Sequence, residues 1–167
     1  MRHGLILVAP SIADQIEAAR YAEARGFDSV WVTEFFNHHG FVRLAAVAGA
    51  TERVQVGTAI AYAFMRTPLL AASGAMDVDE ISGGRVILGL GSGTRSMNEK
   101  WYSISFEHPP APRLRAAIRL IREAIAAQSG GGNARSCRRP IYTCPARSER
   151  GREHSEQAGE EDSAHGA

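Results

Sequence analysis

Residues 86–98, VILGLGSGTRSMN, join a run of apolar side chains to a turn rich in glycine. The run at 86–90 is typical of a strand covered on both faces, as the strands of a parallel sheet are. Glycine has no Cβ and adopts positive φ readily, so the turn at Gly91, Ser92 and Gly93 lets a ligand approach the backbone amides. The stretch therefore predicts a buried strand that ends in a binding loop.

The same order of strand, short turn and helix precedes this stretch three times. Ser11 and Asp14 form an acidic capping box, and Thr67 with Pro68 supplies an N-cap followed by proline at the first helical position. The predicted strands occupy residues 5–9, 29–33 and 54–61, and the predicted helices run from 12 to Gly26, from 41 to 51 and from 67 to 81.

After the glycine turn, the pattern predicts a short helix at 97–102 and an amphipathic helix at 113–128. Four βα units with short connections predict parallel strands joined by right-handed crossovers. An open doubly wound sheet and a (β/α)8 barrel both satisfy this order. Because the glycine turn follows the fourth strand and not the first, a dinucleotide site is disfavoured. The predicted fold is α/β, an incomplete (β/α)8 TIM-type barrel of about four units.

Regular periodicity stops at the Ser-Gly-Gly-Gly run of residues 129–132. We therefore divide the chain into a half-barrel domain, 1–132, and a tail, 133–167, that is poor in large apolar residues. Such a tail buries too little surface to offset the entropy of ordering it, so it is predicted to be disordered. A natural disordered tail and a frameshift or truncation that replaced the second half of a barrel both fit the sequence.

The composition excludes several classes of function. The 19 basic and 18 acidic residues give a net charge of +1, without the basic excess that nucleic-acid binding needs. No apolar run is long enough to span a membrane and no secretory signal is present, so a cytoplasmic location is expected. Six residues separate Cys137 from Cys144, a spacing that fits neither a zinc knuckle nor a redox pair.

Parallel barrels carry their sites at the carboxyl ends of the strands, which selects Glu34 after the second strand and the turn after the fourth. Glu34 could act as a general base, accept a hydrogen bond from a ligand, or be a solvated loop carboxylate. His38 and His39 are adjacent and point in different directions, so no metal site is predicted. A metal-dependent hydrolase that uses Glu34 and this pair is the last-ranked alternative.

Four segments together resemble the bacterial luciferase-like superfamily over about residues 4–128. They are WVTEFF at 31–36, VGTAIAYAFMRTP at 56–68, ISGGRVILGLGSG at 81–93 and MNEKWY at 97–102. The superfamily comprises flavin-dependent monooxygenases and deazaflavin-dependent oxidoreductases on (β/α)8 barrels. The resemblance implies FMN or the deazaflavin coenzyme F420 as cofactor, and a small-molecule substrate.

The resemblance also implies roles for individual residues. Glu34 stands where relatives place an acidic catalytic residue beside the reactive ring. Ala59 and Ile60 match a strand segment where deazaflavin users have a non-prolyl cis peptide behind that ring. The turn residues Gly91, Ser92 and Gly93, and Asn98 after them, are implied to contact the ring system as well.

One position departs from part of the superfamily. Phe35 stands where some deazaflavin dehydrogenases carry a catalytic histidine, so dehydrogenation of sugar phosphates is not expected.

The expected function is that of a luciferase-like oxidoreductase, a monooxygenase or reductase that moves a hydride at the cofactor ring, inactive if the chain is truncated. The alternative is a non-catalytic barrel fragment that acts as an interaction partner or survives as a remnant. A half-barrel exposes strand edges and an apolar inner face, so we expect it to self-associate, to pair with a complementary half, or to aggregate.

Overall fold

The computed structural model of the chain describes residues 3–129 and 142–143. Strands and helices alternate along it, as the sequence predicts. The strands are β1 (Gly4–Leu7), β2 (Ser29–Val32), β3 (Gln55–Thr58), β4 (Ala61–Tyr62), β5 (Val86–Ile87), β6 (Gly89–Gly91) and β7 (Tyr142–Thr143). The helices are α1 (Ile12–Ala24), α2 (Gly40–Ala50), α3 (Pro68–Ser82), α4 (Arg95–Tyr102) and α5 (Pro110–Ser129).

The described strands pair in parallel and follow chain order. β1, β2, β3 and β5 form one sheet in that order, and β4, β6 and β7 form a second. The predicted third strand is divided into β3 and β4, and the predicted fourth into β5 and β6. At this division the Thr58 hydroxyl donates to the carbonyl of Gly89 at 2.7 Å and accepts from its N–H at 3.0 Å. The sheet order is that of consecutive βα units, which confirms the predicted α/β fold with parallel strands.

The core lies between one face of the first sheet and the helices. Fully buried apolar side chains alternate along the strands on this face: Leu7, Val30, Val32, Val56 and Val86. α1 packs against β1, α2 against β2 and β3, and α3 against β5, while α5 packs on α3. The helices therefore cover one face of the sheet only.

Local sequence signals set the starts of two helices. Ser11 caps α1, where its hydroxyl accepts from the N–H of Asp14 at 3.1 Å while the Asp14 carboxylate accepts from the N–H of Ser11. Thr67 caps α3 through the N–H of Leu70, and Pro68 occupies the first helical position. Both predicted caps are confirmed.

Arg85 and Glu23 fix the turns at the amino ends of the strands. The Arg85 guanidinium donates to the carbonyl oxygens of Ala48 at 2.9 Å, of Thr51 at 2.7 Å and of Val54 at 2.7 Å. The Glu23 carboxylate accepts from three consecutive backbone N–H groups at residues 52–54. These two side chains therefore satisfy the polar backbone between α2 and β3.

β7 lies within the segment that the sequence analysis assigned to a disordered tail. It pairs with β6 through the register Gly89↔Tyr142 and Leu90↔Thr143. This fifth position in the strand order was not predicted from the sequence, and the rest of the tail, 133–141 and 144–167, lies outside the described residues. Among the helices that the structure describes, none is both long and apolar enough to cross a lipid bilayer.

Candidate active site at the carboxyl ends of the strands

Three strands deliver the candidate residues to one edge of the sheet. Glu34 follows β2, Tyr62 ends β4, and Gly91 ends β6. The Glu34 carboxylate accepts from the N–H of Tyr62 at 2.8 Å, and the Tyr62 ring lies beside Gly93, where a Cβ would be 3.2 Å from it. The structure therefore places Glu34 at the same end of the strands as the glycine turn.

Glu34 is a buried carboxylate whose oxygens are fully engaged. Its side chain is 1% exposed and forms a bidentate ion pair with Arg66, whose own side chain is 7% exposed. Oε2 accepts from Arg66 at 3.1 Å, and Oε1 accepts from the N–H of Gly40 at 3.0 Å. The carboxylate thus joins the end of β2 to β4, to the loop before α3 and to the first residue of α2.

Arg66, which lies beside Glu34 at this edge of the sheet, was not identified from the sequence. It precedes the N-cap of α3, and its guanidinium also lies over the ring of Phe41, 5.0 Å from the ring centroid. A buried carboxylate is costly without a paired cation. Arg66 is the first basic residue after the third strand. The need of a buried carboxylate for a nearby cation could therefore have pointed to it.

Two glycines determine how the turn of residues 91–93 packs and leads into α4. Gly93 has φ +68°, in the left-handed region, and a Cβ there would also be 3.1 Å from Nδ2 of Asn98. A Cβ on Gly91 would overlap the side chain of Ile60. The two glycines therefore bring the turn, the Ile60 side chain and Asn98 into one cluster.

Asn98 and Tyr102 stand one turn apart on α4, and each has a buried polar atom without a hydrogen-bond partner among residues 3–129. The Asn98 amide donates to the carbonyls of Ser92 and Thr94, both at 2.8 Å, which fixes its orientation. Its Oδ1 and the Tyr102 hydroxyl, both buried, accept and donate nothing within the described residues. Buried polar atoms in native proteins are nearly always hydrogen-bonded, so these two are candidates for contact with a ligand.

Two phenols and an indole extend from this cluster. The rings of Tyr62 and Tyr102 lie 6.1 Å apart, and Trp101 contacts both Tyr102 and Phe36. Burial, the neighbouring Tyr102 and the Glu34 charge raise the pKa of Tyr62 to about 12. Burial and the Glu34 charge also raise the pKa of Tyr102, although Arg66 opposes the shift. Both phenols therefore stay protonated at neutral pH and can donate hydrogen bonds.

The third-strand segment has the peptide geometry that the resemblance implies, because the bond between Ala59 and Ile60 is cis. The N–H of Ala59 donates to the carbonyl of Val32 at 2.8 Å, which keeps the segment attached to β2. Ile60 is partly exposed and reaches Gly91 from this segment. The segment therefore lies between the glycine turn and the end of β2.

The two adjacent histidines have separate positions. His39 caps α2, where its Nδ1 accepts from the N–H of Val42 at 3.4 Å, and His38 pairs through its backbone with Phe35. Within residues 3–129 and 142–143, no three histidine, cysteine or acidic side chains group in a way that could hold a metal ion. Phe35 and Phe36 are both exposed beside them.

Known proteins share sequence and fold with this chain. The profile of the luciferase-like monooxygenase family matches residues 1–151 and so extends past residue 132 to include β7. A putative coenzyme F420-dependent oxidoreductase of Mycobacterium tuberculosis is 37% identical over 113 residues, which are 68% of this chain and 32% of that protein. The chain thus spans about a third of the length of such curated relatives.

Two solved structures share the arrangement of elements. Monooxygenase RslO1 of Streptomyces bottropensis superposes with a TM-score of 0.65 at 26% identity, over 75% of this chain and 43% of that one. The coenzyme F420-dependent tetrahydromethanopterin reductase of Methanopyrus kandleri superposes with a TM-score of 0.62 at 26% identity, over 73% of this chain and 38% of that one. The superpositions support the predicted TIM-type barrel architecture, of which this chain supplies a part.

Proposed function

Because this chain belongs to the luciferase-like monooxygenase family, we propose that it forms the ring-binding part of a flavin or deazaflavin oxidoreductase. The observation that carries the proposal concerns two buried atoms beside the turn of residues 91–93. Asn98 Oδ1 and the Tyr102 hydroxyl have no hydrogen-bond partner in the part of the chain that the structure describes. The relatives named above as F420-dependent favour the deazaflavin, while the family description and RslO1 favour a monooxygenase.

The residues at the strand ends have the chemistry to fit a planar ring cofactor. Such a ring presents carbonyl oxygens and ring N–H groups along one edge, and Asn98 Oδ1 can accept from an N–H while Tyr102 can donate to a carbonyl. Gly91 and Gly93 let the turn pack closely against the side chains of Ile60 and Asn98, which would hold the ring. Ala59 and Ile60 would support its other face, and Ser92 would continue the turn beside it. When bound, the cofactor would accept or supply the hydride.

We propose that Glu34 is a positioning residue and not the general base that its sequence position suggested. Its oxygens already accept from the N–H groups of Tyr62 and Gly40 and from Arg66. In this role the ion pair fixes the backbone of β4 beneath the ring site. The neutral phenols of Tyr62 and Tyr102 are then groups within the cluster that can donate a hydrogen bond to bound substrate.

The second candidate is a non-catalytic barrel fragment. It is favoured by the length of the chain, which spans about a third of its curated relatives. In a complete family barrel, the remaining strands supply part of the pocket that surrounds the ring. Under this alternative the cluster of Asn98 and Tyr102 keeps its geometry and binds no cofactor tightly.

Equilibrium titration separates the two candidates. The purified chain is titrated with FMN and, separately, with F420, while the absorbance and fluorescence of the cofactor are followed. Our proposal predicts saturable binding of one of them, and competition by the other. Failure of both to bind a chain whose circular dichroism shows that it is folded would support the non-catalytic fragment. Riboflavin, which shares the ring of FMN and lacks its phosphate, is the control that isolates the contribution of the ring.

A further inference from the structure

The ion pair of Glu34 with Arg66 places two opposite charges inside the protein, at the edge of the sheet that carries the candidate site. The two side chains are 1% and 7% exposed. By contrast, the ion pair of Glu52 with Arg53, just before β3, joins side chains that are 86% and 71% exposed. Because little water surrounds the buried pair, each of its charges acts over a longer range than an exposed charge does.

Tyr62 connects this ion pair to the candidate ring site. Glu34 Oε2 accepts from the N–H of Tyr62 at 2.8 Å, and Arg66 Nη1 donates to the carbonyl of the same residue at 3.5 Å. The ring of Tyr62 lies 6.1 Å from that of Tyr102 and also lies beside Gly93. The two charges are therefore one residue removed from the glycine turn and from the Tyr102 phenol.

The charges of the pair act on the phenols of the site. Burial is the main cause that raises the pKa of Tyr102, the Glu34 charge raises it further, and the Arg66 charge lowers it. Burial, the neighbouring Tyr102 and the Glu34 charge raise the pKa of Tyr62. The two charges thus act on Tyr102 with opposite signs, and their effects cancel in part while the pair is intact.

A ring cofactor changes its charge when it is reduced. A hydride carries two electrons and one proton, so a ring that takes up a hydride gains one negative charge until it also binds a proton. A cation near the ring favours this extra charge, and an anion opposes it. The sum of the charges beside the site therefore influences how strongly the reduced form is bound.

On the basis of the proposed function, we propose that Glu34 and Arg66 form a charge-balanced pair, which sets how strongly the site binds the reduced ring relative to the oxidised ring. Arg66 alone would favour the reduced ring and raise the reduction potential of the bound cofactor. Glu34 alone would have the opposite effect. This role adds to the support that the pair gives to the backbone of β4.

The test removes one charge at a time from the full chain, in Glu34→Gln and Arg66→Gln. The dissociation constants of oxidised and anaerobically reduced FMN, and in parallel of both forms of F420, are measured at about pH 9, which favours the ionised carboxylate in Arg66→Gln. The ratio of the oxidised to the reduced constant should rise about tenfold in Glu34→Gln and fall about tenfold in Arg66→Gln. The FMN phosphate is common to both forms, so the ratio isolates the ring.

Control variants separate charge from structural support. Arg66→Lys keeps the charge and loses the bidentate geometry, so the ratio should stay within about threefold of the wild-type value although stability falls. The double variant Glu34→Gln/Arg66→Gln should also return the ratio toward the wild-type value. Glu52→Gln and Arg53→Gln, in the exposed ion pair, are matched controls that should leave the ratio unchanged.

A second readout needs no cofactor, so it separates this inference from the proposed function. Ionisation of the tyrosines in each folded variant is followed by ultraviolet absorbance as the pH is raised. Glu34→Gln should lower the pKa of Tyr102, and Arg66→Gln should raise it. Tyr102→Phe in each background identifies the signal of this phenol.

A wild-type chain that binds neither cofactor would contradict the proposed function, while the tyrosine titration would still test the charge balance. The charge balance is overturned by a ratio, or a Tyr102 pKa, that moves in the same direction or not at all in the two single variants. A ratio in Arg66→Lys that matches that of Arg66→Gln would also overturn it. Circular dichroism checks folding, and if one single variant does not fold, the other is judged by its sign against the wild type and the double variant.

Discussion

The hydrogen bonding of buried polar groups differs between the two ends of the parallel strands. At the amino ends, Arg85 and Glu23 each bind several backbone groups. At the carboxyl ends, Gln15 Oε1, Asn98 Oδ1 and the Tyr102 hydroxyl are buried without a partner among the described residues. The amino ends therefore complete the fold, while the carboxyl ends keep hydrogen-bonding capacity that a ligand can use.

Gln15 shows that this difference is a property of the whole edge. It lies in the first turns of α1, and its amide donates to the carbonyl of Leu7 at the end of β1 at 3.0 Å. Its oxygen has no hydrogen-bond partner among the described residues. Two groups at the carboxyl ends are satisfied: Glu34 and Arg66 pair with one another and with the nearby backbone, and Arg43 donates to the carbonyls of residues 9 and 10 after β1. The Glu34–Arg66 pair lies nearest the glycine turn. We interpret this ion pair as the rigid support on which the unpaired groups are presented.

The largest expected effect is a loss of stability at the amino ends. Arg85→Ala removes the donors to the carbonyls of Ala48, Thr51 and Val54, and should lower the free energy of unfolding by about 3 kcal/mol. Urea denaturation measures it. Cofactor affinity of the folded fraction should not change. Arg53→Ala, which removes an exposed arginine, is the control with little expected effect. Weaker cofactor binding by folded Arg85→Ala would contradict the assignment of stability to the amino ends and of binding to the carboxyl ends.

Asn98→Ala should lower both the free energy of unfolding and the affinity for the cofactor. Loss of the two hydrogen bonds from its amide should cost about 1–2 kcal/mol of stability. Loss of Oδ1 should raise the dissociation constant of the cofactor about tenfold. Titration of the folded variant measures the second effect, and an unchanged constant would show that Oδ1 does not face the ring.

Tyr102→Phe should separate affinity from stability. The substitution removes a buried hydroxyl that has no hydrogen-bond partner within the described part of the chain, so the free energy of unfolding should stay the same or rise by up to about 1 kcal/mol. Cofactor binding should weaken about threefold, since a donor is lost. Tyr21→Phe, at an exposed phenol on α1, is the matched control for both measurements. Destabilisation by Tyr102→Phe would mean that its hydroxyl is already paired.

Tyr62 has the smallest expected effect on stability at neutral pH, and its effect becomes clear only in alkali. Its pKa is about 12 in the folded chain against the ordinary 10.0, so the folded state holds the proton more tightly than the unfolded state. The stabilising contribution is complete below pH 10 and is lost as the pH rises toward 12. Tyr62→Phe should remove this part of the pH dependence in urea titrations. The same slope in wild type and variant would contradict the assignment.

Much of the fold was predictable because its signals are local. The caps at Ser11 and Thr67 and the apolar runs of the strands involve residues that are close in sequence. The division of the third strand into β3 and β4 could not be predicted from periodicity, because residues 54–61 continue one apolar pattern. β7 was missed because two residues are too short for any periodic signal.

The site was predictable to the level of the strand ends and not to the level of its contacts. The positions of Glu34, Gly91 and Asn98 at the carboxyl ends of the strands were predictable because chain order sets them. The partner of Glu34 was not found, because Arg66 lies 32 residues away and reaches it only in the folded chain. The roles of Asn98 Oδ1 and Tyr102 depend on the absence of nearby donors and acceptors, which no sequence pattern encodes.

Hydrogen–deuterium exchange of the chain with and without cofactor tests the central claim most directly. We expect added FMN or F420 to slow exchange at residues 59–66 and 91–102, around the carboxyl ends of the strands. Exchange at residues 51–55 and 82–86, around Arg85, should not change. Protection centred on the amino ends, or none at either end under saturating cofactor, would contradict the account.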